Sequence, residues 1–410
     1  MRIVHITPHL GGGVGKALSV LLRGMATTGT NDHAVLCLED PKKRQALESI
    51  EAVGWPVTIR PSVAQVEAAV AQADIVQLEF WNHPEIPALL CALRPAPMRL
   101  LTWCHVSGLG APCVPPELLA SPARMVFTSP CSLASEVVLQ SGRDFPVVSS
   151  GCVDGLPARI ERDVAVGLRI GYIGTLDFAK LHPDFVEFIA CLPASTLPVH
   201  LYGDLTNRDT LQAQCAALGQ PGLLRFHGHV TDIARVLAGL DVLAYPLNPR
   251  HYGTAENALI EAMAMGVVPV VLDNPAERCI VAHDETGFVV NDKRGFQAAV
   301  QTLLADSGRR LAMARRAALT VRTRFTAQTM ETAMSVQYRT LMRQEKGTFA
   351  FRQIFGTTPG DWFASFQPGG IPDLSQSPST GPNKGSVHHF LSRFPEDPDL
   401  QRWAGTLEIP

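Results

Sequence analysis

Two carboxylates, Glu256 and Glu261, stand in the stretch HYGTAENALIEAMAMGVVPVV, at the start and in the middle of an apolar helix pattern. Thr254 reads as an N-cap, Glu256 suits the first turn, and Ala258, Leu259, Ala262, Met263 and Met265 supply a face to bury. Gly266 ends the helix, and VVPVVL comes next as a strand. The mouth of such a helix presents unpaired backbone donors at its positive dipole end, which is an anion site by construction. Glu261 lies inside EAMAMG on an otherwise apolar helix, where a binding role outweighs that of a solvated surface residue.

Other groups are poised for chemistry. GGGVGK, from Gly11 to Lys16, follows a short strand and opens a helix, so Gly11, Gly12 and Gly13 would let backbone N–H groups approach a ligand closely. A P-loop pattern fails at Leu10 and Ala17, and a dinucleotide fingerprint fails at Lys16, although Glu39 lies at a tolerable distance for a ribose contact. A cradle for a bound sugar and a plain tight turn remain open. His105 ends an apolar strand in LTWCHVS, where a satisfied core histidine and a ligand-binding one are equally expected. Lys180, in RIGYIGTLDFAK, is a lone cation of a kind also common on surfaces. Asp204 and Asp241 read as turn or strand-start residues.

The elements that would position these groups alternate between strand and helix. RIVHIT, HAVLCLE, DIVQLEF, MRLLTWCHV and RMVFTS form one series, and RIGYIG, VHLYGD, LLRFHG, DVLAYP, VVPVVL and GFVV a second. Near-continuous apolar strands with helices between them predict two parallel, doubly wound α/β domains, with ligands outside the carboxyl ends of the strands and a cleft between the domains. VVSSGCVDGLPARIERD interrupts the two series and sets a boundary near 160. The expected organisation is 1–160, 161–330, a helix over 331–346, and an irregular Pro-, Gly- and Ser-rich tail over 347–410 of no assigned role.

Composition restricts the function classes. A length of 410 residues exceeds one ordinary core, and 46% hydrophobic with 18% charged residues describes a folded globular chain. A net charge of −3 argues against a nucleic-acid partner. Nine cysteines without metal-finger or C-x-x-C spacing read as buried thiols of a reducing compartment. No apolar run reaches membrane-spanning length, and the N-terminal one is too short for a signal peptide, so the expected location is cytoplasmic. Arg309, Arg310, Arg315, Arg316, Arg322 and Arg324 cluster on one helical stretch; a solvated face is the plain reading, and peripheral contact with the inner face of a membrane is the alternative.

Several of these segments, in the same order, resemble the group-1 glycosyltransferases, also called family 4. That family carries two glutamates separated by seven residues, followed by A-M-A-x-G-x-P-V; EAMAMGVVPV from Glu261 matches the second glutamate and the residues after it, with one extra valine. RIGYIGTLDFAK, FHGHVTDIARVLAGLDVLAYP, ETGFVV and LTWCHVS are similar to further family segments, covering residues 1 to about 340. The resemblance implies a GT-B fold of two Rossmann-like domains, the first binding the acceptor and the second a nucleotide-sugar. It also implies transfer to a hydroxyl of a polysaccharide or lipid-linked glycan with retention, without a cofactor or a demanded metal. By the same resemblance Glu261 would bind the ribose, Lys180 and the amides of Asn257, Ala258 and Leu259 the diphosphate, and backbone at Gly228 to Val230 the base, with His105 near the sugar. Pre-placed positive charge stabilises a nucleoside diphosphate as it leaves. Two positions depart from the family: an arginine is replaced by Thr175, and the first glutamate falls on Gly253, leaving Glu256 as the neighbouring carboxylate. A non-catalytic GT-B protein that binds a sugar nucleotide or a partner enzyme is the second expectation, and a nicotinamide-dependent dehydrogenase the third.

Overall fold

The computed structural model describes residues 1–29, 31–157, 167–254, 256–370 and 384–407. The chain forms two compact units, one of Met1–Cys152, Tyr252–Ala255 and Ala327–Pro410, the other of Val153–His251 and Glu256–Thr326. The expected boundary at 160 lies outside the described residues.

The first unit is built on six parallel strands, β1 (Arg2–Thr7), β2 (Asp32–Cys37), β3 (Val57–Ile59), β4 (Ile75–Phe80), β5 (Leu100–Cys104) and β6 (Arg124–Phe127), in the order β3-β2-β1-β4-β5-β6. The β4 strand, IVQLEF, is buried along its whole length, as a central strand covered on both faces must be. The β3 edge strand escaped the sequence reading because VTI is only three residues long and half-buried throughout, too short to show a period. The glycine loop leads from β1 into the Gly12–Thr28 helix, whose N-cap Gly11 has no side chain to cap with.

The second unit repeats the plan with β7 (Ile170–Ile173), β8 (Val199–Tyr202), β9 (Leu224–Gly228), β10 (Val242–Tyr245), β11 (Val268–Leu272) and β12 (Phe288–Val290), in the order β12-β11-β10-β7-β8-β9. In each sheet the order reverses beside its first strand, between β1 and β4 and between β10 and β7. These are the topological switch points where such sheets hold ligands.

One expectation changes. The described part of the 347–410 segment is helical, with helices at Phe351–Phe355, Pro359–Ala364, Val387–Arg393 and Pro398–Leu407. Their Phe351, Phe355, Phe363 and Phe390, together with Phe366, join Phe80, Ile86 and Leu90 in the core of the first unit. Turn-forming composition concealed a recurrent aromatic anchor; residues 371–383, the centre of the suspected linker, lie outside the described residues. The basic helix Ser307–Arg324 keeps Arg309, Arg315, Arg316 and Arg324 exposed, as a solvated face does, while several of its arginines also pair within the second unit. Arg309 pairs with Asp284, Arg316 donates to the Glu285 carbonyl at 2.8 Å, and Arg324 to that of Cys279 at 3.0 Å. Arg322 donates to the Ala264 carbonyl at 3.1 Å, so it caps the C-terminus of the Asn257–Ala264 helix, where a cation also complements the dipole. No described helix is long and apolar enough to cross a membrane.

Phe366 is fully buried, with its ring 5.9 Å from that of Phe80 and 6.0 Å from that of Phe355. Phe366→Ala is expected to destabilise the chain by about 3–5 kcal/mol, measured by urea denaturation, as for a core aromatic. A solvent-exposed tail would give no measurable change.

Candidate functional site

The switch point of the second unit gathers charge. The loop after β7 carries Lys180 and is pinned to the exit of β10: the Asn248 amide donates to the Lys180 carbonyl at 2.8 Å, and Asn248 Nδ2 to the Phe178 carbonyl at 3.0 Å. Across this seam Lys180 Nζ lies 2.8 Å from Glu256 Oε2. Glu256 is the N-cap of the Asn257–Ala264 helix, but its side chain makes no capping bond. It turns instead into the protein, where it accepts from Tyr245 Oη at 2.7 Å and lies 3.9 Å from His251 Nδ1. Burial opposes ionisation of this carboxyl, yet the charges of Lys180 and His251 and the two hydrogen bonds outweigh it and hold its pKa at about 2.

A second buried carboxylate continues the network. His251 Nε2 lies 3.1 Å from Glu277 Oε2, and Asn274 Nδ2 donates to Glu277 Oε1 at 3.3 Å. Burial lowers the His251 pKa, but Glu277 and then Glu256 carry the balance upward. Tyr245 stacks on Tyr172 at 5.4 Å, and burial pushes both phenols well above their ordinary range, so Tyr245 remains a donor to Glu256. Thr254 takes no part in capping: its hydroxyl accepts from Thr128 Oγ1 at 2.8 Å, within the first unit.

The other expected donor-binding residues take varied places. Glu261 is buried at 6% exposure, which rules out a solvated helix residue. Asn257 and Ala258 are half-buried at the helix mouth, with Asn257 Oδ1 buried and without a partner among the described residues, whereas Leu259 packs its side chain into the core and offers only its backbone. Gly228 ends β9 with φ of +74°, and Val230 follows half-buried; β8 separates them from β7, whose following loop carries Lys180. Thus Lys180, Glu256 and the helix mouth come together, while Gly228 and Val230 lie two strands away from β7.

In the first unit the glycines divide by cause. Gly12 has φ of +63° with open space around it, and Gly13 is exposed, so both keep the loop accessible. Gly15 is packing: a Cβ there would come 2.3 Å from the Leu10 carbonyl oxygen. Gly11 donates its amide to His9 Nδ1 at 3.0 Å. His105, just beyond β5, places Nε2 2.8 Å from Glu79 Oε2.

A cluster that the sequence reading missed surrounds the switch point beside β1. His9 follows β1, Glu39 follows β2, Trp81 and His83 follow β4, and Lys384 and His389 arrive from the tail. His83 Nε2 is 3.5 Å from Glu39 Oε2, the His83 and His389 rings are 4.9 Å apart, and Lys384 Nζ is 3.0 Å from His9 Nε2. Glu39, His83 and His389 bring ligand atoms within 4.8 Å of one another, a spacing that suggests a metal. The tautomers oppose it. Gly11, Glu85 and Gly385 donate backbone N–H to Nδ1 of His9, His83 and His389 respectively, at 3.0, 3.2 and 2.9 Å. With Nδ1 accepting, the His83 and His389 rings present N–H at Nε2, a donor where a metal needs a lone pair. Burial, then neighbouring positive charge, lowers the pKa of His9 to about 3, and burial with His83 lowers that of His389 to about 4. Glu39 is held at about 2 chiefly by its hydrogen bond from His83, so the carboxylate expected as a ribose contact is already engaged.

The fold is that of the GT-B glycosyltransferases, and residues 167–306 match the family described as "Glycosyl transferases group 1". Over 133 residues the chain is 30% identical to the lipopolysaccharide core biosynthesis glycosyltransferase LpsE of Rhizobium meliloti (strain 1021), a stretch covering 32% of this chain and 38% of that relative. HepE of Anabaena, solved in complex with UDP-glucose, superposes with a TM-score of 0.66 at 17% identity, over 83% of this chain and 100% of HepE. Sucrose-phosphate synthase of Thermosynechococcus elongatus superposes with a TM-score of 0.65 at 15% identity, over 84% of this chain and 100% of that one.

The buried pair sets an acid dependence. With a folded pKa near 2 against an ordinary 4.5, ionised Glu256 contributes stability in full above pH 4.5, and that contribution is lost as pH falls through 4.5 towards 2. Glu256→Gln is expected to flatten the fall in melting temperature between about pH 5 and about pH 3. Lys180→Met, which strands the carboxylate, is expected to cost about 3 kcal/mol at pH 7, the low end for a broken buried pair because a quarter of Lys180 is exposed. A double variant less stable than Lys180→Met alone would refute the coupling.

Proposed function

We propose that the chain transfers a sugar from a nucleotide-sugar donor to a hydroxyl acceptor, a saccharide or lipid-linked glycan, with retention of configuration. One observation carries this reading: a cation, Lys180, held beside an open helix mouth at the switch point of the segment that matches the group 1 glycosyl transferases. Lys180 and the amides of Asn257 to Leu259 meet the diphosphate, Glu261 the ribose, and backbone at Gly228 to Val230 the base. Glu256 stands in for the carboxylate replaced by Gly253, through Lys180: it keeps the ammonium charged and fixes it in place. Positive charge set before the reaction stabilises the diphosphate as the glycosidic bond breaks, without reorganisation at that moment. The UDP-glucose complex of HepE supports a UDP-sugar as donor. Leaving phosphate oxygen takes the acceptor proton on the face from which it departs.

In the first unit, imidazole N–H groups of His83 and His389 and the amine of Lys384 gather about one carboxylate, Glu39, beside the open glycine loop. That balance of donors and acceptors suits hydroxyls better than an anion, and supports placing the acceptor there. Thr175 and Gly253 favour a second reading, a GT-B protein that binds a sugar nucleotide without transfer.

A thermal-shift panel of UDP-, GDP- and other sugar nucleotides tests the donor. Ligand at about 100 times its dissociation constant adds roughly 2.7 kcal/mol of stability, enough to rank the bases; no shift with any nucleotide would end this reading. Lys180→Ala and Glu261→Ala are each expected to lower transfer at least about 100-fold, the scale for removing one electrostatic contact to a leaving group. Nucleotide binding without hydrolysis or transfer by the intact chain would establish the non-catalytic reading instead.

A further inference from the structure

A stripe of polar side chains crosses the interior of the first unit, where the proposed chemistry has no use for it. His33 on β2, His5 on β1 and Gln77 and Glu79 on β4 are all buried, and the stripe ends at His105 beyond β5. His5 pairs in register with Gln77, and Glu79 stands two residues along the same strand, so these side chains share one face of the sheet. Tyr338 of the Ala327–Met342 helix covers that face. His5 Nε2 is 2.9 Å from His33 Nδ1, and His5 Nδ1 is 3.8 Å from Glu79 Oε1. A carboxylate without solvent exposure is costly unless its neighbours define its state. Burial drives its pKa up, but the hydrogen bond from His105 and the nearby His5 ring leave it below the ordinary value.

The hydrogen bonds run in one direction. Tyr338 Oη donates to Gln77 Oε1 at 2.5 Å, which turns the Gln77 amide nitrogen towards Glu79, where it donates to Oε1 at 2.6 Å. The other carboxylate oxygen, Oε2, is left to accept from His105 Nε2 at 2.8 Å. A carboxylate only accepts, so the proton of neutral His105 sits on Nε2. Nδ1 of His105 takes no hydrogen-bond partner among the described residues. This is the relation of a carboxylate to the histidine of a catalytic triad, in which the acid sets the tautomer.

From this chain of bonds we infer that Glu79 is the positioning residue of His105, fixing its Nε2–H tautomer so that the bare Nδ1 accepts a hydrogen bond from a hydroxyl of the sugar substrate. Tyr338 and Gln77 hold Glu79 in the required sense. The inference rests on the proposed transfer reaction only for the identity of that hydroxyl.

Glu79→Gln tests it with little change of volume. Gln77 still requires an acceptor on its side, so the new amide turns its oxygen to Gln77 and its nitrogen to His105, and the ring must carry its proton on Nδ1. Imidazole ¹⁵N spectra of the full chain near pH 8, with His105 assigned from a His105→Gln variant, should show protonated Nε2 in the wild type and protonated Nδ1 in Glu79→Gln. The variant should bind the sugar nucleotide as the wild type does and lose at least 100-fold in kcat. A wild-type Nδ1–H tautomer, or an unchanged tautomer in Glu79→Gln, overturns the inference; so does a switched tautomer with kcat within twofold. If Glu79→Gln fails to fold, Tyr338→Phe, which releases Gln77, must yield a mixture of His105 tautomers, and a single Nε2–H form there overturns it equally. Loss of nucleotide binding by the wild type counts against the proposed function alone, because the tautomer is read without turnover.

Discussion

Where strand order reverses in a parallel sheet, the connections leaving two adjacent strands diverge to opposite faces and leave the strand ends between them uncovered. Both units meet that constraint beside their first strand, and both fill the gap with ionisable groups. In the second unit the gap lies between β7 and β10 and holds Lys180 and Glu256. In the first it lies between β1 and β4 and receives His9 from one side and His83 from the other. Helices, loops and tail segments then take positions that keep these groups paired.

The pairing is demanding because so much of it is dry. Glu256, Glu277 and Glu79 are all carboxylates almost without solvent exposure, and each is met by a histidine, lysine, tyrosine or amide donor. An apolar core of the same volume would be at least as stable, so groups of this kind specify arrangement more than they add stability. Here the arrangement is directional. Backbone amides choose the tautomers of His83 and His389, and a carboxylate chooses that of His105. Histidines that resemble a metal site by spacing thereby become hydrogen-bond donors.

Much of this was legible from the chain alone. Eleven of the twelve described strands show as apolar runs, since a strand of a covered parallel sheet is mostly apolar, and only the three-residue β3 lacked the length to be seen. EAMAMG marked Glu261 as unusual because a carboxylate in an apolar helix has few bland explanations, and its burial agrees. Glu256 was visible as an acidic first-turn residue and as the carboxylate nearest the one lost at Gly253, but its pairing with Lys180 joins two distant loops that meet because β7 and β10 are neighbours. The tail misled in the other direction. Its Pro, Gly and Ser content is genuine, but seven phenylalanines at irregular intervals dock on the first unit with no period to betray them.

The sequence by itself determined the class of fold, the two series of strands, the glycine turn after β1 and the open helix mouth after β10, because periodicity, turn chemistry and capping are local properties of the chain. Only the tertiary structure decided which charges face one another and which nitrogen of each histidine carries a proton. Those depend on strand order and on bonds between residues far apart in sequence, such as Tyr338 to Gln77 and Gly385 to His389 beside His83. A residue's type states what it can donate or accept, and its neighbours across the sheet decide which of these it does.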